Sequence, residues 1–229
     1  MTVPVIIGDA TLYCADCMEI LPTLGKVDAV VTDPPYGLGE SNRKKHMSRG
    51  QLADPVDYGD YDWDERPCSP EQITAMRICS RHQIIFGGNY FNLPPTPCWL
   101  VWDKLNGEND FADCELAWTN LDKAVRRIRW LWNGMIRRGH EERYHPTQKP
   151  LGVIEWCINH LPPETLTILD PFMGSGTTGV ACAKLGRKFI GVEIEERYFS
   201  IACRRIEEAY RQPRLFADVP AKAVQAALL

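Results

Sequence analysis

The sequence predicts an α/β fold in which a mainly parallel sheet is covered by helices on both faces. Three observations predict it. Seven short runs rich in apolar or β-branched residues alternate with four helical patterns, at the spacing of strand–helix–strand units. The runs read as mostly buried strands, as expected where helices cover both sides of a parallel sheet. One of them ends in a glycine-rich turn that opens directly into a helix pattern.

In chain order, Val3 to Ile7, Ala10 to Tyr13 and Ala29 to Thr32 are strands, each near a Gly, Pro or Asp that ends it. Glu71 to Ser80 is a helix, Gln83 to Phe86 and Cys98 to Trp102 are strands, and Leu151 to Leu161 is a helix. Leu166 to Leu169 and Phe189 to Val192 are strands on either side of a helix over Thr178 to Leu185, and a helix over Glu196 to Tyr210 follows. Two stretches break the rhythm. Gly37 to Pro70 is polar and dense in Gly, Pro, Asp and charge, and so long a loop inside a domain is commonly functional. Asn120 to His145 is basic, with Trp130 and Trp132 interleaved. The expected organisation is one catalytic domain over 1–215, carrying the loop 37–70 and a basic insert at about 120–145, then a C-terminal tail over 216–229.

At 229 residues and 45% hydrophobic, the chain can bury one sizeable core. No apolar run approaches the roughly 20 residues that cross a bilayer, and Met1-Thr2-Val3-Pro4 lacks the basic start of a secretory signal, so a cytoplasmic protein with no membrane partner is expected. Nine cysteines, an odd number, exclude a complete disulfide framework, and most read as small buried apolar side chains. Cys14-x-x-Cys17 has no second pair at zinc-ligand spacing, so no metal is expected. The net charge of −4 is unevenly spread: between Asn120 and Pro150 eight basic residues face three acidic ones, a local +5 that leaves −9 for the rest. Arg126, Arg127, Arg129, Arg137 and Arg138 in this stretch read as a cluster without acidic partners, suited to phosphates.

In Leu169-Asp170-Pro171-Phe172-Met173-Gly174-Ser175-Gly176-Thr177-Thr178 a strand runs through glycines into a helix start, where backbone N–H groups can approach a ligand. The next strand ends in Glu193, about 20 positions on, where a carboxylate accepts hydrogen bonds from ribose hydroxyls. A nucleoside cofactor follows, and Tyr198 is placed either to flank its adenine or to fill the core. Gly174, Gly176 and Gly179 also match the dinucleotide fingerprint, which makes NAD the competitor. Asp170 decides between them: a carboxylate at the mouth of the site suits the cationic methionine end of S-adenosylmethionine and not a pyrophosphate.

The second constellation is Ala29-Val30-Val31-Thr32-Asp33-Pro34-Pro35-Tyr36-Gly37, a buried strand entering a turn whose direction the prolines fix. Such a turn suits a planar base with an exocyclic amino group: Asp33 and the Pro34 carbonyl each accept an amino hydrogen, while Tyr36 stacks on the ring. Accepting both hydrogens pushes the nitrogen towards sp3, so its lone pair can attack a methyl group. No cysteine nucleophile is needed, and neither Pro67-Cys68 nor Pro97-Cys98 is followed by the Gln expected of a C5-cytosine enzyme.

These blocks resemble the amino-methylating DNA methyltransferases of the permuted class called beta, in which D-P-P-Y precedes the Gly-rich motif. Ala15-Asp16, Trp102-Asp103-Lys104 and His145-Pro146-Thr147-Gln148-Lys149-Pro150 extend the likeness over most of the chain. The resemblance implies a Rossmann-like S-adenosylmethionine-dependent fold with permuted motif order, and transfer of methyl to N6 of adenine in double-stranded DNA after base flipping. It puts Asp33, Pro34, Pro35 and Tyr36 at the catalytic centre and Asp16 on the cofactor adenine. Glu193 then meets the ribose, and Asp170, Phe172, Gly174, Gly176 and Thr177 the methionine side, with Thr147, Gln148 and Lys149 packed near the cofactor entrance. His145 is either a capped loop histidine or a catalytic one, and Asp16 has a turn cap as its alternative. Adenine is preferred because the family's N4-cytosine members more often carry Ser at the Asp33 position. N4-cytosine methylation and a non-catalytic DNA-binding module of the same fold are the alternatives. Protein-glutamine and RNA methyltransferases usually begin the motif with Asn and place the cofactor motif first. Target recognition falls to 37–70 and 120–145, which suggests a short or relaxed site. The sequence leaves a homodimer, a restriction endonuclease partner, and a phage or prophage origin open.

Overall fold

In the computed structural model, residues 2–38, 66–106, 112–133, 136–137, 142–145 and 147–212 are described. The strands are β1 (Val5–Ile7), β2 (Ala10–Cys14), β3 (Val27–Thr32), β4 (Ser80–Phe86), β5 (Trp99–Asp103), β6 (Cys114–Thr119), β7 (Arg126–Arg129), β8 (Trp132–Asn133), β9 (Ile136–Arg137), β10 (Thr167–Asp170) and β11 (Lys188–Glu193). The helices are α1 (Cys17–Ile20), α2 (Pro70–Cys79), α3 (Leu151–Ile158), α4 (Thr177–Leu185) and α5 (Glu196–Arg211). Among the described residues, nine strands form one sheet in the order β1-β2-β11-β10-β3-β4-β6-β5-β7, and β8 pairs with β9 apart from it.

The central run β2-β11-β10-β3-β4 is parallel throughout. Its neighbours are not: β1 pairs antiparallel with β2, and β6 lies antiparallel to both β4 and β5. The strand period of two explains the layers. Ala29, Val31 and Ile168 face one apolar cluster, filled by Val153 of α3, Val180 of α4 and Ala202 and Ile206 of α5. Val30 and Leu169 face the other, filled by Cys17 and Ile20 of α1 and Ile73, Met76 and Cys79 of α2. Each such fully buried aliphatic side chain contributes on the order of 1.5–3 kcal/mol. The α/β expectation is met, with helices on both faces.

The helix ends are set by short-range chemistry. Ser69 and Gln72 form a capping box at the start of α2, with Pro70 at its first turn, where a missing N–H costs nothing. Thr177 to Leu185 ends on Gly186 in the left-handed conformation. All nine cysteines are free thiols and six are buried, the small apolar role expected of most of them.

Three expectations change. The basic stretch contributes β7 to the main sheet and the β8–β9 pair. Its arginines hid the strand, because an edge strand tolerates polar residues on both faces. Val3 and Pro4 lie outside β1, and α3 stops at Ile158 before Pro162-Pro163. Residues 39–65 of the expected loop and the tail beyond Gln212 lie outside the described residues. Among the described residues no helix is long and apolar enough to cross a membrane.

Candidate active site

The carboxyl ends of β3, β10 and β11 open into one cavity of about 410 Å3, lined among others by Asp16, Asp33, Asp170, Gly174 and Glu193. Strand polarity brings them together: in a parallel sheet the last residue of each strand faces the same edge.

Asp170, the last residue of β10, is 3% exposed. Its Oδ1 accepts from the Thr32 hydroxyl at 2.7 Å and the Phe172 N–H at 3.2 Å, and its Oδ2 accepts from the Thr178 hydroxyl at 2.7 Å. The carboxylate therefore lies in the cavity floor, not at its mouth as expected, and its function begins with holding the loop 171–178 against β3. Burial pushes its pKa up to about 6, against the pull of the two hydroxyls.

Above that floor the glycine loop is shaped for close approach. Gly176 caps α4 at φ +81, and a Cβ there would lie 2.8 Å from that of Ala202, so both conformation and packing demand glycine. Gly174, at φ +50, has among the described residues only the His145 ring near its would-be Cβ, at 3.9 Å, which leaves its face open to a ligand. Buried Arg205 of α5 fixes the loop from behind, donating to the Ser175 carbonyl at 2.6 Å and to the Thr177 hydroxyl at 3.2 Å. Glu193 accepts the Gly174 N–H at 2.8 Å on Oε2 and the Glu195 N–H at 2.9 Å on Oε1, so each oxygen keeps a lone pair for a hydroxyl. Burial raises its pKa to about 7. Two hydroxyl acceptors beside an open glycine face fit a ribose and the chain it carries. Phe172 lines the same cavity.

Asp16 caps α1, accepting the Met18 N–H at 2.8 Å, and lines the cavity as well. Turn cap and cavity wall thus coincide. His145 lines the cavity and is held within its own loop: its Nδ1 is 3.1 Å from the Thr147 hydroxyl, and its ring packs edge-on against Tyr198 at 4.3 Å. Tyr198, 1% exposed, packs under that histidine and lines the cavity as well. Gln148 straps the loop down, accepting the Tyr144 N–H at 2.9 Å and the Ser175 hydroxyl at 3.2 Å.

In the turn after β3 both oxygens of Asp33 are engaged. Tyr36 donates its hydroxyl to Oδ1, and Lys149 donates to Oδ2. The Tyr36 ring stacks on Tyr90 with centroids 5.0 Å apart. Lys149 is 6% exposed and also meets Glu115 of β6, its Nζ 3.1 Å from Oε2. The structure places Lys149 against the turn that carries Asp33, while Gln148 holds Ser175 of the glycine loop and Thr147 stays with His145. Burial lowers the pKa of Lys149, but Asp33 and Glu115 outweigh it and the net shift is upward. Burial raises that of Asp33, and Lys149 offsets this only in part.

Of the basic residues, Arg127 and Arg129 do have an acidic partner. Asp103 Oδ2 is 3.8 Å from one and 3.3 Å from the other, because β7 runs beside β5 with Arg129 opposite Asp103. Both side chains remain more than 60% exposed, so these pairs are weak and leave the charges accessible. Arg126 points to the opposite side, with Ile128. Arg137 lies in β9 with its side chain undescribed, and Arg138 falls outside the described residues.

The family model described as DNA methylase, N6_N4_Mtase, matches residues 99–204. The Type II methyltransferase M2.LlaDCHI of Lactococcus lactis subsp. cremoris is 42% identical over 248 residues, covering 87% of this chain and 90% of the relative. M2.MboI of Moraxella bovis is 47% identical over 242 residues, covering 86% and 87%. The chain belongs to the DNA methylase family. That family is S-adenosylmethionine-dependent. The M1.HpyAVI–SAM complex superposes with a TM-score of 0.55 at 28% identity, covering 86% of the methylase chain and 98% of the other. A PvuII DNA methyltransferase described as cytosine-N4-specific shares the fold alone, with a TM-score of 0.51 at 15% identity over 89% and 92% of the two chains.

The methylase site contains groups that sequence reading missed. Thr32 and Thr178 belong to the two motifs, yet nothing in the sequence gives them a role, and they turn out to hold Asp170. Glu115 carries no local signal at all. It lies in a strand with no clear alternation, and only the pairing of β6 with β4 and β5 brings it to Lys149.

Proposed function

We propose that this methylase transfers a methyl group from S-adenosylmethionine to the exocyclic N6 of adenine in double-stranded DNA, with the base turned out of the helix into the cavity. The reading rests on one observation: Asp33 follows β3 at the cavity edge, within the same cavity as Glu193 and the open face of Gly174. When bound, S-adenosylmethionine supplies an electrophilic methyl on a sulfonium. Glu193 accepts the ribose hydroxyls, Asp16 borders the adenine, and Phe172, Gly174 and Thr177 face the methionine side. Asp170 supports that side from beneath.

Asp33 and the Pro34 carbonyl accept the two hydrogens of the target amino group, which frees the nitrogen lone pair. Tyr36 must release Oδ1 for this to happen, and its ring is then free to stack on the base. One amino proton has to leave the nitrogen, and Asp33 is the acceptor in reach. Adenine rather than cytosine rests on Asp standing at the head of the motif. Arg126, Arg127 and Arg129 on the exposed edge strand hold backbone phosphates, and 1–215 is the catalytic domain of a modification enzyme in a restriction–modification setting.

The test is to methylate a plasmid with labelled cofactor and sequence the modified positions. N6-methyladenine at a defined or relaxed site is expected. N4-methylcytosine would reassign the base, and no incorporation would leave a DNA-binding module.

A further inference from the structure

Behind Asp33 runs a line of four alternating charges drawn from four places in the chain. Lys104, just past β5, reaches Glu115 Oε1 with its Nζ at 2.6 Å. Glu115 Oε2 is closed off from solvent and lies 3.1 Å from Lys149 Nζ, an ion pair without a well-aligned hydrogen bond. Lys149 in turn donates to Asp33 Oδ2. The Phe86 and Tyr36 rings close over the Lys149 ammonium at 5.4 and 5.7 Å.

We propose that Glu115 is a positioning residue for methyl transfer: anchored by Lys104, it holds the Lys149 ammonium in place and, through it, the Asp33 carboxylate aimed at the target amino group. The proposal rests on the role given to Asp33 above. An ionised carboxylate only accepts hydrogen bonds, whereas a protonated one presents an O–H to the base. In a dry pocket a lone lysine–aspartate pair is free to neutralise itself by proton transfer. A second carboxylate on the ammonium opposes that transfer, because the proton then stays where two negative charges hold it. The hydrogen bond to Asp33 on one side and the ion pair to Glu115 on the other also fix the lysine rotamer, and with it Oδ2.

The charged and titratable groups facing this line are Asp33 and Tyr36 from the β3 turn, Tyr90 stacked on Tyr36, Lys104 from the β5 end, and Asp170 beyond Asp33. Losing the Glu115 charge removes a negative neighbour from both Lys149 and Asp33, so both then titrate at lower pH.

The test is Glu115→Gln, close to isosteric, with Glu115→Asp as the charge-conserving companion, assayed for kcat, KM and S-adenosylmethionine affinity. Glu115→Gln is expected to lower kcat by roughly tenfold to a hundredfold, the scale of a misplaced reacting group, with cofactor affinity unchanged. Its alkaline loss of kcat is expected to begin at lower pH than in the wild type. Glu115→Asp is expected to recover part of the rate and the wild-type pH profile. Wild-type kcat in Glu115→Gln overturns the proposal, as does a lowered kcat with an unmoved pH profile, which is the mark of a merely structural carboxylate. Asp33→Asn separates this from the reading beneath it: turnover retained there fails the role of Asp33, while a dead Asp33→Asn beside a normal Glu115→Gln fails only the positioning role.

Discussion

At the cofactor end of the cavity the polar groups are held chiefly by near neighbours. Glu193 is fixed by the N–H groups of Gly174 and Glu195, and Asp170 by the Phe172 N–H and the Thr178 hydroxyl, with Thr32 added from β3. At the target end Asp33 is held by Lys149, 116 residues away in sequence, and Lys149 by Glu115 of a strand on the antiparallel side of the sheet. The two ends therefore differ in what a mutation does. Damage at the cofactor end acts on affinity through one compact loop, and on stability where it touches Asp170, whereas damage at the target end exposes an unpaired charge between two strands and acts on rate and folding together.

Lys149→Ala breaks the target end most severely. It leaves the half-buried Asp33 carboxylate without its cation and Glu115 with Lys104 alone, so a loss of about 3 kcal/mol in folding stability is expected, with kcat down more than about a hundredfold. Chemical denaturation alongside the methylation assay checks it, and a stable, active variant would remove the distinction between the two ends. Asp170→Ala leaves the Thr32 and Thr178 hydroxyls without their acceptor. It should cost about 1–3 kcal/mol of stability and loosen cofactor binding, read by the same denaturation and by calorimetry.

Glu193→Ala should weaken S-adenosylmethionine by about 1–3 kcal/mol in calorimetry without altering the fold. The same residue gives a pH signature. Its folded pKa of about 7 stands above the ordinary 4.5, so over that window the folded chain holds a proton that the unfolded chain has lost. Stability of the free enzyme should thus fall as pH rises from about 4.5 to 7, and Glu193→Gln should flatten that slope. Cofactor affinity should rise over the same window, because only the ionised carboxylate accepts both ribose hydroxyls. The smallest effect belongs to the edge strand. Replacing Arg126, Arg127 and Arg129 with Ala should weaken all DNA sequences alike and flatten the salt dependence by about one unit of slope for each phosphate no longer neutralised. Unchanged DNA affinity would return these arginines to a solvated face.

The same contrast explains what could be read from the sequence. The parallel core was legible because its strands are continuous apolar runs, and the cofactor end because Asp170, the glycines and Glu193 lie within 24 residues of one another. Strands β6 and β7 were not, since Cys114 to Thr119 mixes polar and apolar residues and Arg126 to Arg129 is almost all arginine. The D-P-P-Y turn was legible as a motif, but its partners were not. Lys149 reads as part of a cofactor-side block, and Glu115 reaches it only through antiparallel pairing. Asp170 is recognisable in its motif but reads as lying at the mouth, because the sequence does not show that Thr32 and Thr178 occupy its oxygens.

The central claim is that Asp33 acts on the target amino group and not on the cofactor. The most direct measurement is Asp33→Ala, assayed for transfer of labelled methyl to DNA and, on the same preparation, for S-adenosylmethionine binding by calorimetry. The account predicts that transfer is abolished while cofactor affinity stays within a few-fold of wild type. Wild-type turnover in that variant, or loss of cofactor binding in step with loss of transfer, would contradict it.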